Sequence, residues 1–582
     1  MMTALTAGRA NWREALRAYW RRDRLPMLLL LLAFCVTTYP FALHMNDSLQ
    51  GEESDTDEAL WQNWWLRDTL VRGHDLDHTT YLFHPDGLDV SLNPRRWTSF
   101  PLWTLLFSLF GDPLAFNLTA SLGILFKAYG MYLVGILLFR RRAPALAAAG
   151  FYAFNVYSLP TALQQPNTGA QDWIPWFMLF FLAGLLRLRA GGRGRAVAPL
   201  MLGAGICFSL NLYMNLKIGI LAMLLGGGFA LLYMTASGLW QSRDCWLALL
   251  TFSLTAVLLC APLLLPVLGD DDFLHASAQV IRANPILSID AFWQWLRWGL
   301  ASAALALLGV VYAWRWRREA LGWLALAVVF NALSWGLVIY FRGEPLPIYW
   351  TPYRIVADNF FFRALNYPLR MSGIFVFPYS LLIGCGICLL ARRLDTRRWG
   401  VAAMLLLAGL LLYDTRIFPV PLRPEPRSDY AAQLDRLESG ALINIPFGRQ
   451  PSKYYMALQR QHRRPINEGM MARMPADAYD YIEADQVLAS FRKSTQRIAG
   501  EFSGISLSAA QWQAALDRWS AAGFRYIALH KELPRRSYAS PYDKPADWVM
   551  ALFAGQPSVY ADDEVAIYDL LELDVDALAA AG

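Results

Sequence analysis

The sequence GEESDTDEALWQNWWLRDTL, residues 51–70, carries six carboxylates and three tryptophans. It begins a few residues after the first long apolar run of the chain, which ends near Leu43. Acidic side chains so close to a lipid bilayer are costly unless water or a bound group surrounds them. The stretch therefore predicts a hydrated loop at a membrane surface, in which some carboxylates have a functional role.

The composition is that of a polytopic membrane protein. The chain has 582 residues, is 56% hydrophobic and contains 23 tryptophans, which is unusual for a soluble enzyme. Its net charge of +6 comes mainly from arginines in short runs between apolar segments, a pattern that reports topology. No basic face indicates a nucleic-acid partner. The six cysteines lie in or beside apolar segments, which predicts small core residues and no disulfide framework.

The apolar runs predict eleven transmembrane helices, because a bilayer needs about 20 apolar residues per span. The first run follows a basic N-terminus, as in a signal peptide, but no small-residue cleavage site follows, so we predict a retained helix. The basic clusters between the runs fall on one side, which places the N-terminus in the cytoplasm and the tail outside. The predicted spans are 25–43, 114–139, 143–161, 173–187, 197–215, 218–236, 247–268, 297–314, 320–341, 371–391 and 400–418.

Three loops and the tail are predicted on the outer side. The loops are residues 44–113, 269–296 and 342–370. Within the first loop, residues 98–111 are apolar and bounded by proline and glycine, which predicts an interfacial helix or a shallow re-entrant segment. The tail opens with a proline-rich linker and continues with helix-like stretches and short apolar runs. The predicted organisation is a cytoplasmic N-terminus (1–24), a transmembrane domain (25–418) and a soluble periplasmic α/β domain (419–582).

The first outer loop has carboxylates in a position to do chemistry. Glu52 and Glu53 fit a solvated loop, whereas Asp55, Asp57 and Glu58 run directly into a helix-like, tryptophan-rich segment. A carboxylate at this depth can act as general base toward an acceptor hydroxyl while a lipid-borne donor lies in the membrane beside it. The first outer loop is therefore a candidate active site.

A sugar carried on a polyprenyl phosphate is a donor that suits this chemistry. Its phosphate gains negative charge as the sugar leaves, so the site needs cations. The last outer loop offers Arg354, Arg363 and Arg370 among aromatic residues, and Lys217 lies at another outer hinge. The alternative for each arginine is interfacial anchoring, and the alternative for Lys217 is an ordinary loop residue.

Two further polar groups are candidates. In HDLDH, residues 74–78, two histidines lie four positions apart with two aspartates between them. A divalent cation is a candidate cofactor there, although such a pair needs further ligands and the sequence requires none. Asp172 is either a second carboxylate that contacts substrate or the cap of a helix that begins at Trp173.

Four motifs of the membrane part resemble bacterial glycosyltransferases of the GT-C superfamily. DTDEALWQNWW (55–65) resembles the acidic, tryptophan-rich start of their first outer loop, and YLFHPDGLDV (81–90) resembles the P-x-G turn that follows. QDWIP (171–175) is similar to the entry of a later helix, and LNYPLRMSG (365–373) to the P-x-R at the start of a late span. In the tail, INIPF and FRYIALH are similar to their outer α/β domain.

The resemblance implies a polytopic α-helical membrane protein of the GT-C type, with about eleven transmembrane helices and a C-terminal soluble α/β domain. By position, Asp55 matches the acid before the tryptophans and becomes the implied base, with Asp57 as second candidate. Arg370 becomes the implied contact of the donor phosphate, and Glu58, Asp172 and Trp61 are candidate substrate-binding residues. The W-W-D motif of oligosaccharyltransferases is missing, which disfavours transfer of a whole oligosaccharide to asparagine.

The leading hypothesis is a bacterial inner-membrane enzyme that moves one sugar, with inversion, from a polyprenyl phosphate to a periplasmic glycolipid or cell-surface polysaccharide. Membrane lipid and the glycan acceptor are its expected partners. One alternative is a transporter or flippase of a lipid-linked saccharide, which predicts ionisable residues deep inside the spans or related halves. The predicted spans contain almost no charge apart from Lys127, which disfavours this alternative. Another is a non-catalytic envelope assembly protein, in which Asp55 is replaceable.

Overall fold

The structure is a computed structural model of the chain, and it divides into two compact units. Unit 1 contains residues 1–45, 96–102 and 117–420, and unit 2 contains residues 46–95, 103–116 and 421–582. The residues that the structure describes are 12–50, 55–91, 93, 95–166, 171–268, 299–341, 344–348, 350–359, 361, 362, 365, 367–393, 409, 410, 413, 414, 419–471, 474–496, 504–533 and 545–581.

The membrane part of the chain is a succession of helices, as expected where backbone polar groups must pair within each apolar segment. Its described helices are α1 (Trp12–Thr37), α2 (Asp55–Arg72), α3 (Phe100–Phe110), α4 (Leu114–Phe139), α5 (Arg142–Phe154), α6 (Ser158–Gln164), α7 (Ile174–Arg189), α8 (Gly194–Met214), α9 (Leu216–Ser237), α10 (Arg243–Leu268), α11 (Leu300–Trp316), α12 (Leu321–Ser334), α13 (Pro352–Val356) and α14 (Met371–Arg393).

Ten of the eleven predicted spans coincide with a described helix, whereas most of 400–418 and the loop 269–296 lie outside the described residues. Five described helices are long and apolar enough to cross a bilayer, and the others at predicted spans are shorter or more polar. The number of spans therefore stays a prediction. The five are Leu114–Phe139, Gly194–Met214, Leu216–Ser237, Arg243–Pro266 and Pro368–Arg393.

The predicted span 143–161 is interrupted at Asn155. Its side-chain amide donates hydrogen bonds to the carbonyls of Phe151 and Tyr152, at 2.8 and 3.0 Å. Its side-chain oxygen accepts from the backbone N–H groups of Tyr157 and Ser158, at 3.0 and 2.9 Å. An asparagine that satisfies backbone groups on both sides in this way competes with the helical hydrogen bonds. The segment consequently forms two helices, α5 and α6, instead of one.

Helix α14 is the centre of unit 1, packed by α5, α11 and α12, and its side chains are buried along nearly its whole length. Two glycines let the backbones of α11 and α14 touch. A Cβ atom on Gly386 would lie 2.1 Å from the carbonyl oxygen of Leu305, and one on Gly309 would lie 2.0 Å from that of Leu382. Small residues at such crossings are typical of helix packing in membranes.

Unit 2 is built on a four-stranded mixed sheet with helices around it. The strands of the sheet are β7 (Ala441–Ile445), β8 (Phe524–His530), β9 (Tyr560–Ala561) and β10 (Val565–Asp569). Their order is β7–β8–β10–β9, in which β7 and β8 are parallel and the other pairs antiparallel. The tail helices are α15 (Asp429–Leu434), α16 (Arg449–His462), α17 (Asp480–Ala484), α18 (Gln486–Gln496), α19 (Ala509–Ala521), α20 (Asp547–Phe553) and α21 (Val575–Ala581).

Most of the first outer loop, residues 46–95 and 103–113, belongs to the same compact unit as the tail. Its strand β1 (Ser48–Gln50) pairs antiparallel with β6 (Leu422–Pro424), which is part of the proline-rich opening of the tail. Helix α2 packs against α16. The remaining strands form two short hairpins, β2 (His78–Thr79) with β3 (Leu88–Asp89), and β4 (Tyr340–Phe341) with β5 (Glu344–Pro345). Tail side chains are thereby brought next to the carboxylates of α2.

Candidate active site

Three acids of the first outer loop lie in the first turn of α2, namely Asp55, at which the helix begins, Asp57 and Glu58. Negative charge at a helix N-terminus is favourable because the unpaired N–H groups there carry partial positive charge. The sequence thus starts the helix at the carboxylates that we predicted as catalytic. Glu52 and Glu53 lie outside the described residues.

Asp57 is the buried member of this group. Its side chain has 0% exposure, and Oδ1 accepts a hydrogen bond from Nη2 of Arg423 at 2.5 Å. Arg423 lies on β6, opposite Leu49 of β1. This ion pair connects the start of α2 to the proline-rich segment of the tail. A carboxylate without exposed surface is poorly placed to meet a substrate hydroxyl.

Asp55 is the accessible member. Its side chain is 36% exposed, and Oδ1 accepts a hydrogen bond from Nζ of Lys453 on α16 at 2.5 Å. The lysine side chain itself is only 5% exposed. Asp55 is therefore a carboxylate held at one oxygen by a buried cation and open to solvent elsewhere. Of the two predicted catalytic acids, it has the surface that proton transfer from a substrate needs.

Trp61 and Glu58, predicted as substrate-binding residues, are both buried. The Trp61 ring stacks on Trp65 with centroids 5.8 Å apart, and its indole N–H donates to Oε1 of Gln459 on α16 at 2.6 Å. Glu58 accepts a hydrogen bond from Gln62 at 3.0 Å. The described contacts of Trp61 join α2 to α16, and its contact with a substrate stays a prediction.

Lys453 and Arg423 pair with the two candidate acids, and the sequence did not identify either of them. The predicted cations lie in the last outer loop and, for Lys217, at another outer hinge, whereas the described partners of Asp55 and Asp57 come from the tail. Arg423 stands in an extended proline-rich segment and Lys453 near the start of a helix. Neither local pattern indicates a contact with a residue more than 350 positions earlier. A single sequence therefore contains no signal that identifies Arg423 or Lys453 as partners of the acids.

The predicted phosphate-binding cations belong to unit 1. Arg370 ends a short 3₁₀ turn before α14, donates to the carbonyl of Leu365 and lies over the Tyr367 ring, 5.0 Å from its centroid. Burial raises the pKa of Tyr353 to about 12, and the nearby Arg370 charge opposes that rise. Arg370 thus lies against one tyrosine ring, that of Tyr367, and close to a second, that of Tyr353.

The other cations have separate surroundings. Arg354 is exposed and donates from Nε to the carbonyl of Leu337 at 3.1 Å. The backbone N–H of Lys217 donates to Oδ1 of Asn215, which caps α9, at 2.9 Å. Arg363 lies outside the described residues.

Asp172 takes part in a second charged cluster, within unit 1. Its carboxylate packs on Gly123 of α4, where an added Cβ atom would lie 2.7 Å from Oδ2. Burial raises the pKa of Asp172, and the positive charges of Lys127 and Arg96, both buried, oppose that rise. The N-cap of α7 is Trp173, without a side-chain capping hydrogen bond. The contacts therefore describe Asp172 as a charge partner, not as a helix cap.

The HDLDH segment shows no arrangement for a metal. Asp77 pairs with Arg95, and Nε2 of His78 lies 3.1 Å from the backbone carbonyl of Asp86. Within the described ranges, no three His, Cys, Asp or Glu side chains are grouped as a metal site requires. The described residues thus offer no set of ligands for the divalent cation that the spacing suggested.

Comparison with known proteins gives a fold and no close relative. No family model and no curated protein sequence matches the chain. The cryo-EM structure of the arabinofuranosyltransferase AftD from Mycobacteria matches with a TM-score of 0.55 and 14% identity, over 95% of this chain and 40% of AftD. A mutant form of AftD matches with a TM-score of 0.52 and 15% identity, over 95% of this chain and 41% of AftD. The crystal structure of ArnT from Cupriavidus metallidurans bound to undecaprenyl phosphate matches with a TM-score of 0.49 and 12% identity, over 95% of this chain and 98% of ArnT.

The likeness to AftD shows that the chain has a GT-C-like fold, which confirms the fold expected from the motifs. The chain spans about two fifths of the length of the AftD structures. Together with its apolar helices, this GT-C-like fold makes it a helical membrane protein.

Proposed function

We propose that the protein transfers a sugar from a polyprenyl phosphate to an acceptor outside the bacterial inner membrane, with inversion at the anomeric carbon. The acceptor class is a glycolipid or a cell-surface polysaccharide. In this proposal the N-terminus is cytoplasmic, about eleven helices span the membrane and residues 419–582 are periplasmic. The observation that carries the proposal is the exposed carboxylate of Asp55 at the start of α2, in a chain with the fold of a sugar transferase.

Asp55 acts as the general base in this proposal. It removes the proton of the acceptor hydroxyl while that oxygen attacks the anomeric carbon, and the phosphate leaves with the electrons of the broken bond. A single base and an already activated phosphate suffice for one direct displacement. Arg370, Arg363, Arg354 and Lys217 are the proposed contacts of the phosphate, where negative charge accumulates.

The test is sugar transfer by the full chain in proteoliposomes, supplied with mixed polyprenyl-phosphate sugars and an envelope extract as acceptor. We expect Asp55→Asn to slow transfer by a factor of about 100 or more, the size of a lost general base. Asp68→Asn is the matched control, because Asp68 lies on the same helix and bonds to Tyr81 and Arg72 at its far end. Equal rates for wild type and Asp55→Asn would remove Asp55 as the base.

A transporter or flippase of a lipid-linked saccharide is the second candidate function. The cluster of Asp172, Lys127 and Arg96 favours it, because buried charge among membrane helices often marks a translocation path. Absence of sugar transfer by the wild type, combined with movement of a labelled lipid-linked saccharide across the proteoliposome membrane, would favour this function. A wild type without either activity would leave a non-catalytic assembly role.

A further inference from the structure

We propose that Lys453 is a positioning residue for Asp55, so that the tail supplies part of the active site of the transferase. This inference rests on the proposed function. The ammonium group lies 2.5 Å from Oδ1 of Asp55, and the lysine side chain is 5% exposed. A lysine on a protein surface normally keeps its charge in water. Because Lys453 is buried, its ammonium group is restricted to its contact with the carboxylate of Asp55.

Helix α16 holds Lys453 in a fixed position relative to α2. Gln459, on the same helix, accepts the indole hydrogen bond of Trp61 and donates to the carbonyl of Tyr81 at 2.7 Å. Arg460, one heptad after Lys453, pairs with Glu425 and lies 3.7 Å from Asp112. These contacts place the face of α16 that carries residues 453 and 460 next to the first outer loop. The position of the ammonium group is therefore determined by buried neighbours.

The ion pair leaves Asp55 oriented for a substrate. Oδ1 is taken by Lys453, while Oδ2 accepts no hydrogen bond from the residues that the structure describes. In the proposed step the acceptor proton moves to Oδ2 of Asp55, the acceptor oxygen bonds to the anomeric carbon, and the carbon–oxygen bond to phosphate breaks with its electron pair on the phosphate. One negative charge thereby disappears at Asp55 and one appears on the phosphate.

A base accelerates the step only when its oxygen is held in line with the proton that it removes. Lys453 fixes the side chain of Asp55 through Oδ1, which leaves Oδ2 for the acceptor hydroxyl. Lys453 therefore acts on the chemical step more than on substrate binding. Its removal should consequently lower kcat and leave KM nearly unchanged.

The experiment measures kcat and KM of the full chain for Lys453→Met and Lys453→Gln, with wild type, Asp55→Asn and the Asp55→Asn/Lys453→Met double variant. We expect kcat to fall by about 30-fold in each lysine variant, the size of a lost charge-assisted hydrogen bond, with KM changed less than about 3-fold. In the Asp55→Asn background, Lys453→Met should change the residual rate by less than about 3-fold, because its effect passes through Asp55.

Arg518→Met is the matched control, since it removes a tail cation that bonds to Asp485 at 2.8 Å instead of to α2, and it should keep wild-type rates. Folded lysine variants with wild-type kcat would overturn the inference, and so would an equal loss of rate with and without Asp55. A wild type that transfers no sugar would instead overturn the proposed function, and the role of Lys453 with it. Monodisperse size-exclusion profiles identify the folded variants, and having two lysine substitutions keeps the test decisive if one of them fails to fold.

Discussion

Replacing Arg423 by methionine should open the junction between the first outer loop and the tail. The substitution leaves Asp57, which has no exposed surface, without the cation that lies 2.5 Å away. Removing one partner of a buried ion pair costs about 3–5 kcal/mol, because the remaining charge cannot be solvated. We expect about 3 kcal/mol here, since Arg423 keeps 19% exposure and the pair is therefore not wholly shielded from water.

Hydrogen exchange of the full chain in detergent, followed by mass spectrometry, measures this loss locally. Strands β1 and β6 pair through Leu49 and Arg423, so their amides report opening of the junction. A loss of about 3 kcal/mol corresponds to exchange about 150-fold faster. The matched control is Arg427→Met, four residues later, whose pair with Glu425 is 72% exposed on the arginine side and should contribute less than about 1 kcal/mol.

The two residues of this ion pair should not be equally sensitive to substitution. Asp57→Asn should accelerate exchange less than Arg423→Met does, because the arginine that it leaves behind can reach water whereas Asp57 cannot. The double variant should be less damaged than Arg423→Met alone, since it removes the buried charge of Asp57 together with the cation. Exchange in Arg423→Met within about fivefold of wild type would refute the view that this ion pair holds the loop to the tail.

Two further predictions concern stability. Burial lowers the pKa of His462 and His530 to about 3, so between pH 7.5 and 5.5 only the unfolded chain takes up their protons, and unit 2 should lose about 1.4 kcal/mol for each histidine. Hydrogen exchange of β8 at the two pH values tests this, and His530→Gln should remove about half of the pH dependence; a flat profile would contradict it. Gly386→Ala should lower the thermal midpoint by the equivalent of about 1–3 kcal/mol, because its Cβ meets the Leu305 backbone. Gly227→Ala should not lower the midpoint, because Gly227 faces open space and alanine favours the helix.

The membrane helices could be predicted because the signal for them is local. A run of about 20 apolar residues forms a helix wherever it lies, since lipid offers its backbone no other partner. Helix α14, for example, falls within two residues of the predicted 371–391. The break at Asn155 was not predictable in the same way. Its amide forms hydrogen bonds with backbone groups on both sides. Whether an asparagine inside an apolar run does this depends on its tertiary contacts, which the sequence does not show.

The charge partners of α2 could not be predicted because they come from far along the chain. Asp57 and Arg423 are separated by 366 positions, and Asp55 and Lys453 by 398. A single sequence shows which residues are charged but not which of the many arginines meets which acid. The requirement for cations near the carboxylates followed from the chemistry, whereas their identity followed only from the pairing of β1 with β6 and the packing of α2 on α16.

The geometry of α2 also separates the roles of its acids. Successive helix positions are about 100° apart, so Asp55 and Asp57 point to opposite sides of the helix. In the structure as described, Asp57 could take the role proposed for Asp55 only if the first turn unwound, which the ion pair of Asp57 with Arg423 opposes. Glu58 lies nearer to Asp55 around the helix, but it is buried and bonded to Gln62. The described carboxylates of the opening stretch therefore leave Asp55 as the one with both a fixed orientation and an open oxygen.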